Sequence, residues 1–171
     1  MKQPHFDQHE ATITNVNVRR EKHGKEGKLG LDISFALQTT NKALDMFEPG
    51  LRASLFRKAG KGEQLDLVEG TDGLVALKFP TLQPLKLEGD YTGYEVYIDG
   101  LLEGTEQVVL VDVKLKDFVI DPIEGGSVAL AFKAQLPAST EELSQIVDSW
   151  MNEGVRVSLI PGEKQEEQQA A

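Results

Sequence analysis

A strict two-residue alternation recurs along this chain and constrains its fold more than any other feature. Leu29, Leu31, Ile33, Phe35 and Leu37 alternate with Gly30, Asp32, Ser34 and Ala36. In the second half Val128, Leu130, Phe132 and Ala134 repeat the pattern. A period of two turns one face of an extended chain inward, so both segments read as half-buried strands. Weaker alternation predicts further strands. Ile13, Val16 and Val18 form one, with a bulge at Thr14-Asn15. Others cover Leu51–Leu55, Leu74–Phe79, Leu85–Leu87, Gly93–Ile98, Val108–Ile120 and Val155–Leu159.

Helical spacing is confined to two places. Leu44 and Phe47 share a face within a short helix over 41–48, stopped by Pro49-Gly50. Ser139 and Glu142 form a capping box ahead of Leu143, Ile146, Val147 and Trp150, and Gly154 ends that helix. With 171 residues and 40% hydrophobic composition, the chain can bury one sizeable core. The expected fold class is α+β, predominantly antiparallel β, as a single domain over 11–160. Residues 1–10 read as a flexible arm and 161–171 as a disordered acidic tail. Phe35, Phe47, Phe56, Phe79, Phe118, Phe132 and Trp150 sit at core-facing positions.

The two ends of the domain share an order: strand, charged turn, strand, helix, Gly, strand. Leu31-Asp32-Ile33-Ser34-Phe35 returns as Val128-Ala129-Leu130-Ala131-Phe132. Gly50-Leu51-Arg52-Ala53-Ser54-Leu55-Phe56 returns as Gly154-Val155-Arg156-Val157-Ser158-Leu159-Ile160, keeping Gly, Arg, Ser and Leu in place. The expectation is two pseudo-repeated ββαβ units, over about 11–57 and 107–160, around a central set of strands.

The charge is unevenly laid down. The formal net charge is −10, which excludes a uniformly basic polyanion binder. Up to residue 61, however, 11 Lys or Arg face 7 Asp or Glu, whereas from residue 62 the numbers are 7 and 21. The bases concentrate in two Gly-punctuated loops. One holds Arg19, Arg20, Lys22, Lys25 and Lys28; the other holds Arg57, Lys58 and Lys61. Lys and Arg on a loop whose glycines let the backbone approach suit phosphate contact. Tyr91, Tyr94 and Tyr97 are grouped. Tyr94 shares a face with Val96 and Ile98, leaving Tyr91 and Tyr97 as candidates to stack on a base. The same polarity allows head-to-tail self-association, closing to a ring or running to a filament.

Catalytic chemistry is sparse. There is no Cys, hence no disulfide scaffold, thiolate nucleophile or Cys-bound zinc. No P-loop, G-x-S-x-G elbow or H-E-x-x-H occurs. His5 and His9 would share a face only on a helix, and they precede a strand. Asp112 and Asp117 stand at odd spacing on a strand, which would put them on opposite faces. Asp66, Glu69 and Asp72 read as a solvated acidic loop, and His23 has only Glu21 and Glu26 near it in sequence. No catalytic residue, cofactor or metal is assigned. The N-terminal residues lack a signal peptide's apolar region, and no run approaches the roughly 18 apolar residues that span a bilayer.

Glu21-Lys22-His23-Gly24, Pro49-Gly50-Leu51-Arg52 and Glu124-Gly125-Gly126-Ser127-Val128-Ala129-Leu130-Ala131-Phe132 resemble parts of small uncharacterised proteins of tailed bacteriophages. The resemblance covers most of the chain and lies in turns. It implies a viral protein of the host cytoplasm, encoded near recombination and replication genes. The reading is therefore a non-enzymatic accessory protein of DNA metabolism, with DNA or a DNA-handling protein as partner and no membrane. Two alternatives stand beside it: an acidic decoy of a host nucleic-acid-binding defence protein, and a self-assembling, clamp-like homo-oligomer.

Overall fold

In the computed structural model, residues 3–20, 29–63, 69–102, 104–152 and 154–162 are described. The strands are β1 (Phe6–Arg20), β2 (Leu29–Thr40), β3 (Phe56–Lys58), β4 (Leu74–Leu77), β5 (Leu85–Lys86), β6 (Tyr91–Gly100), β7 (Val108–Ile123), β8 (Ser127–Ala138) and β9 (Val155–Ile160). The helices are α1 (Leu51–Leu55) and α2 (Thr140–Trp150), with a 3-10 turn at Asn41–Met46. The architecture is mostly antiparallel β with a few helices, as the alternation predicts.

The main sheet closes on itself. β1 pairs with β2, β2 with β8, β8 with β7, β7 with β6, β6 with β9, and β9 returns to β1, all antiparallel. The result is a six-stranded barrel, with β5 added beside β7 and a separate β3–β4 ribbon. Closure follows from two long strands that each serve two neighbours in succession. β1 pairs with β9 through Ala11 and with β2 from Thr12 onward. β7 pairs with β6 over Val108–Leu115 and with β8 over Lys114–Ile123.

Such bends need bulges, and the ladders show them where one strand carries an extra residue. Gln8, Gly93, Asp112 and Asp117 occupy these places, all with positive φ (48°, 74°, 53° and 54°). The irregularity expected at Thr14-Asn15 is also present, between Ile13 and Asn15.

The barrel interior holds the apolar half of each alternation, with Leu31, Ile33, Phe35, Val96, Ile98 and Leu110 essentially inaccessible. An aromatic row crosses three strands. Phe35 stacks on Phe132 (centroids 5.3 Å), and Phe132 on Phe118 (5.1 Å). Phe47 and Tyr91 meet Phe118 edge-on at 5.1 and 5.6 Å. One barrel end is met by α2, which buries Ile146 and starts at the expected capping box: Ser139 accepts from the Glu142 amide, and Glu142 accepts from the Ser139 amide. The opposite end is covered by the 3-10 turn, α1 and the β3–β4 ribbon, through Leu44, Phe47, Leu55 and Phe56.

Several expectations need correction. Phe6–Glu10 belong to β1 and pair with β9, because Phe6 has an apolar seat in the barrel; they are not a loose arm. Leu51–Leu55 is helical, although its twin Val155–Leu159 is a barrel strand, so the two supposed repeats agree only in their hairpins. Phe79 and Trp150 are exposed rather than core-facing. Asp112 and Asp117 both point outward, since the bulge at Asp117 resets the alternation between them. Among the described residues, no helix is long and apolar enough to cross a membrane.

Candidate nucleic-acid interface

The described bases flanking the two loops lie at opposite ends of the barrel. The first springs from the β1–β2 hairpin, whose last pair is Arg20–Leu29. The second is attached at the other end, where Thr40 pairs with Ser127. There Gly125 N–H donates to the Val75 carbonyl at 2.8 Å, and the Leu77 amide donates to Glu124 Oε2 at 3.3 Å. This ties the β3–β4 ribbon, with Arg57 and Lys58, to the β7–β8 turn. β2 has 12 residues and separates the loops by roughly 36 Å. Arg19 and Arg20 therefore do not share one phosphate site with Arg57 and Lys58.

Arg57 is also engaged. Its guanidinium holds Glu63 through Nη2–Oε1 (3.0 Å) and Nη1–Oε2 (3.1 Å), and these bonds keep the Glu63 carboxyl below its usual pKa. Lys58 and Lys61 are exposed. Lys22, Lys25 and Lys28, along with His23 and Asp66, lie outside the described residues.

The tyrosines divide differently from the expectation. The Gly93 bulge inserts one residue between Tyr91 and Tyr94, so both turn inward. Tyr91 is half-buried against Phe118 and Tyr94, and burial raises its phenol pKa. It is not an exposed stacking platform. Tyr94 is fully buried, donates to the Pro4 carbonyl at 2.8 Å, and titrates far above the usual range for the same reason. Tyr97 faces outward, half-buried, and its hydroxyl donates to Glu95 Oε2 at 2.8 Å.

At the root of the β1–β2 hairpin the barrel assembles a different basic surface. Arg19 donates from Nε to Asp32 Oδ2 (2.9 Å) and from Nη2 to Asp32 Oδ1 (3.2 Å). Gln135 Nε2 adds a third bond to Asp32 Oδ1 at 2.9 Å. Burial alone would raise the Asp32 carboxyl. The hydrogen bonds from Gln135 and Arg19, the charge of Arg19 and a bond from Asn17 outweigh it and hold the pKa below the usual value. This fixed network links the outer faces of β1, β2 and β8.

Beside it on β7 and β8 stand Lys114, Lys116 and Lys133. Lys114 pairs with Asp90 (3.0 Å) and Lys133 with Asp117 (3.5 Å). Lys116 has no ion pair among the described residues, and it stands directly opposite Lys133 in the ladder. Like charges in that position cost stability, and Asp117 beside Lys133 offsets part of that cost. A groove of about 430 Å³ runs along this surface, lined by Arg19, Gly93, Asp112, Lys114, Gln135 and Pro137 among others. A second, larger cleft of about 650 Å³ opens at the far end between Phe6, Thr39, Lys42, Ala43, Met46 and Pro161.

Sequence reasoning missed the three lysines because they are scattered along the chain. A signal was present: Lys114 and Lys116 are two apart on a strand, which places them on one face. Among the described residues no three His, Asp or Glu side chains gather to hold a metal ion. His9 lies on β1, its ring edge-on to Phe6 at 5.3 Å, and His5 precedes the strand. No protein-family model, curated protein or solved structure matches this chain.

Proposed function

We propose that this protein is a non-enzymatic accessory of bacteriophage DNA metabolism. It binds nucleic acid electrostatically on the outer face of β1, β2, β8 and β7, at the root of the basic β1–β2 hairpin. The observation that carries this reading is the juxtaposition there of Arg19, Lys114, Lys116 and Lys133, with Lys116 and Lys133 directly opposed. Phosphates would neutralise these charges and release counterions, so affinity falls steeply with salt.

The test is fluorescence anisotropy with single- and double-stranded oligonucleotides at two salt concentrations. The triple change Lys114→Glu, Lys116→Glu, Lys133→Glu is expected to weaken binding at least tenfold and to flatten the salt dependence. The far-end pair Lys58→Glu, Lys61→Glu should change it less than twofold. No salt-sensitive binding by the wild-type chain, or equal losses from both sets, overturns the proposal.

A further inference from the structure

The barrel seam between β7 and β8 opens for a readable reason. Their ladder ends with Lys114 opposite Gln135. Continued by one register step at a time, it would set Pro137 against Asp112. Proline has no amide to donate, and Asp112 is the bulged residue with φ of 53°. Pairing stops, and Val108–Val113 keep β6 on one side with no strand on the other. Among the described residues, no backbone hydrogen bond outside the β6 ladder reaches this stretch.

Proteins usually guard a free edge with charge, proline or bulges. The other unpaired edge at this end of the barrel belongs to β1 beyond the reach of β9, and it carries Asn15, Asn17, Arg19 and Arg20. The β7 edge carries no charge from Gln107 to Val111, and its outward side chains are Val109 (44% exposed) and Val111 (62% exposed). Leu101, Leu102 and Met151 extend exposed apolar surface at the same end.

We infer that this edge pairs with the same edge of a second copy, antiparallel and centred on Leu110. The strand is self-complementary in that register. Val109 of each copy stands opposite Val111 of the other on the outer face, and Asp112 stands opposite Val108 rather than another acid. Beyond the ladder, Glu106 of one copy approaches Lys114 of the other. An isologous contact of this kind closes at two copies, unlike a head-to-tail chain. It does not depend on nucleic-acid binding.

Sedimentation velocity over a concentration series tests the proposal, with a dimer expected. Val109→Lys with Val111→Lys should weaken dimerisation at least tenfold while leaving the thermal midpoint of the monomer nearly unchanged, because both positions are exposed. A register test uses the absence of native cysteine. Val109→Cys mixed with Val111→Cys should form a disulfide-linked dimer under mild oxidation far more readily than either alone, since directly opposed residues lie within disulfide reach. A wild-type monomer up to about 1 mM, the weak end of specific association, overturns the inference and leaves the edge to a strand of another protein. An assembly larger than two, a dimer that survives both lysines, or cross-linking without preference for the mixed pair also overturns it.

Discussion

The β1–β2 and β7–β8 hairpins look alike in sequence and pair side by side through twelve β2–β8 positions, yet the chain does different things after each. After β2, residues 41–58 fold down over the barrel end as a 3-10 turn, α1 and β3. After β8, α2 crosses the other end and delivers β9 into the barrel wall. The heptapeptides that begin at the two glycines keep Gly, Arg, Ser and Leu in step, but one opens with Gly50 at φ 82° and coils while the other extends. Local pattern here is permissive. The seat available between β1 and β6 decides that 155–160 become a strand, and no such seat remains for 51–55.

The largest expected effect tests what the hairpins share. Phe35 and Phe132 are register partners and stack, so replacing either with Ala should cost about 3–5 kcal/mol in denaturant unfolding. The double variant should cost less than the sum, because both changes empty one space. Strict additivity would break the view of a joint core.

The next effect separates what the hairpins lead to. Arg52 and Arg156 hold matching places in the heptapeptides. Arg52 is largely buried and bridges Asp45 and Asp72 at 3.1 Å each, with a further bond to the Gly70 carbonyl at 3.3 Å. Arg156 is exposed on β9. Arg52→Ala should cost about 1–3 kcal/mol and Arg156→Ala less than about 0.5 kcal/mol. Equal costs in thermal or denaturant unfolding would mean that the two segments are structurally closer than described.

The strands with the strongest alternation, the capping box at Ser139 and the bulge at Thr14-Asn15 were legible in the sequence because each rests on near neighbours. Closure of the sheet was not. It depends on β1 meeting β9 and on β7 changing partners, which no local pattern announces. The bulges at Gly93 and Asp117 were equally hidden, and each one reversed a face assignment, for Tyr91 and for the two aspartates. The candidate site suffered most. Arg19 was visible in a charged loop, while Lys114, Lys116 and Lys133 joined it only through the β2–β8–β7 pairing.

The smallest effect concerns the Arg19–Asp32–Gln135 network that links the hairpins on their outer face. Its carboxyl pKa is depressed in the folded state, so its contribution is complete above the ordinary aspartate pKa and fades as pH falls through the lower, folded value. Below about pH 4 the wild type should lose thermal stability more steeply than Asp32→Asn. With Arg19 partly exposed, the difference should stay under about 1 kcal/mol. Parallel pH profiles would show that the network adds nothing to the joint between the two halves.

The hydrogen bond from the Gln8 amide to Ser158 Oγ spans 150 residues of chain, and the barrel wall is incomplete without it and its neighbours. On a ribosome adding about 5–20 residues per second, β1 would wait on the order of ten seconds for β9 to appear. Until then the open hairpins expose apolar faces with nothing to close against. Premature termination before residue 155 should therefore yield an aggregating chain rather than a smaller folded one, and the last strand acts as the keystone of the whole assembly.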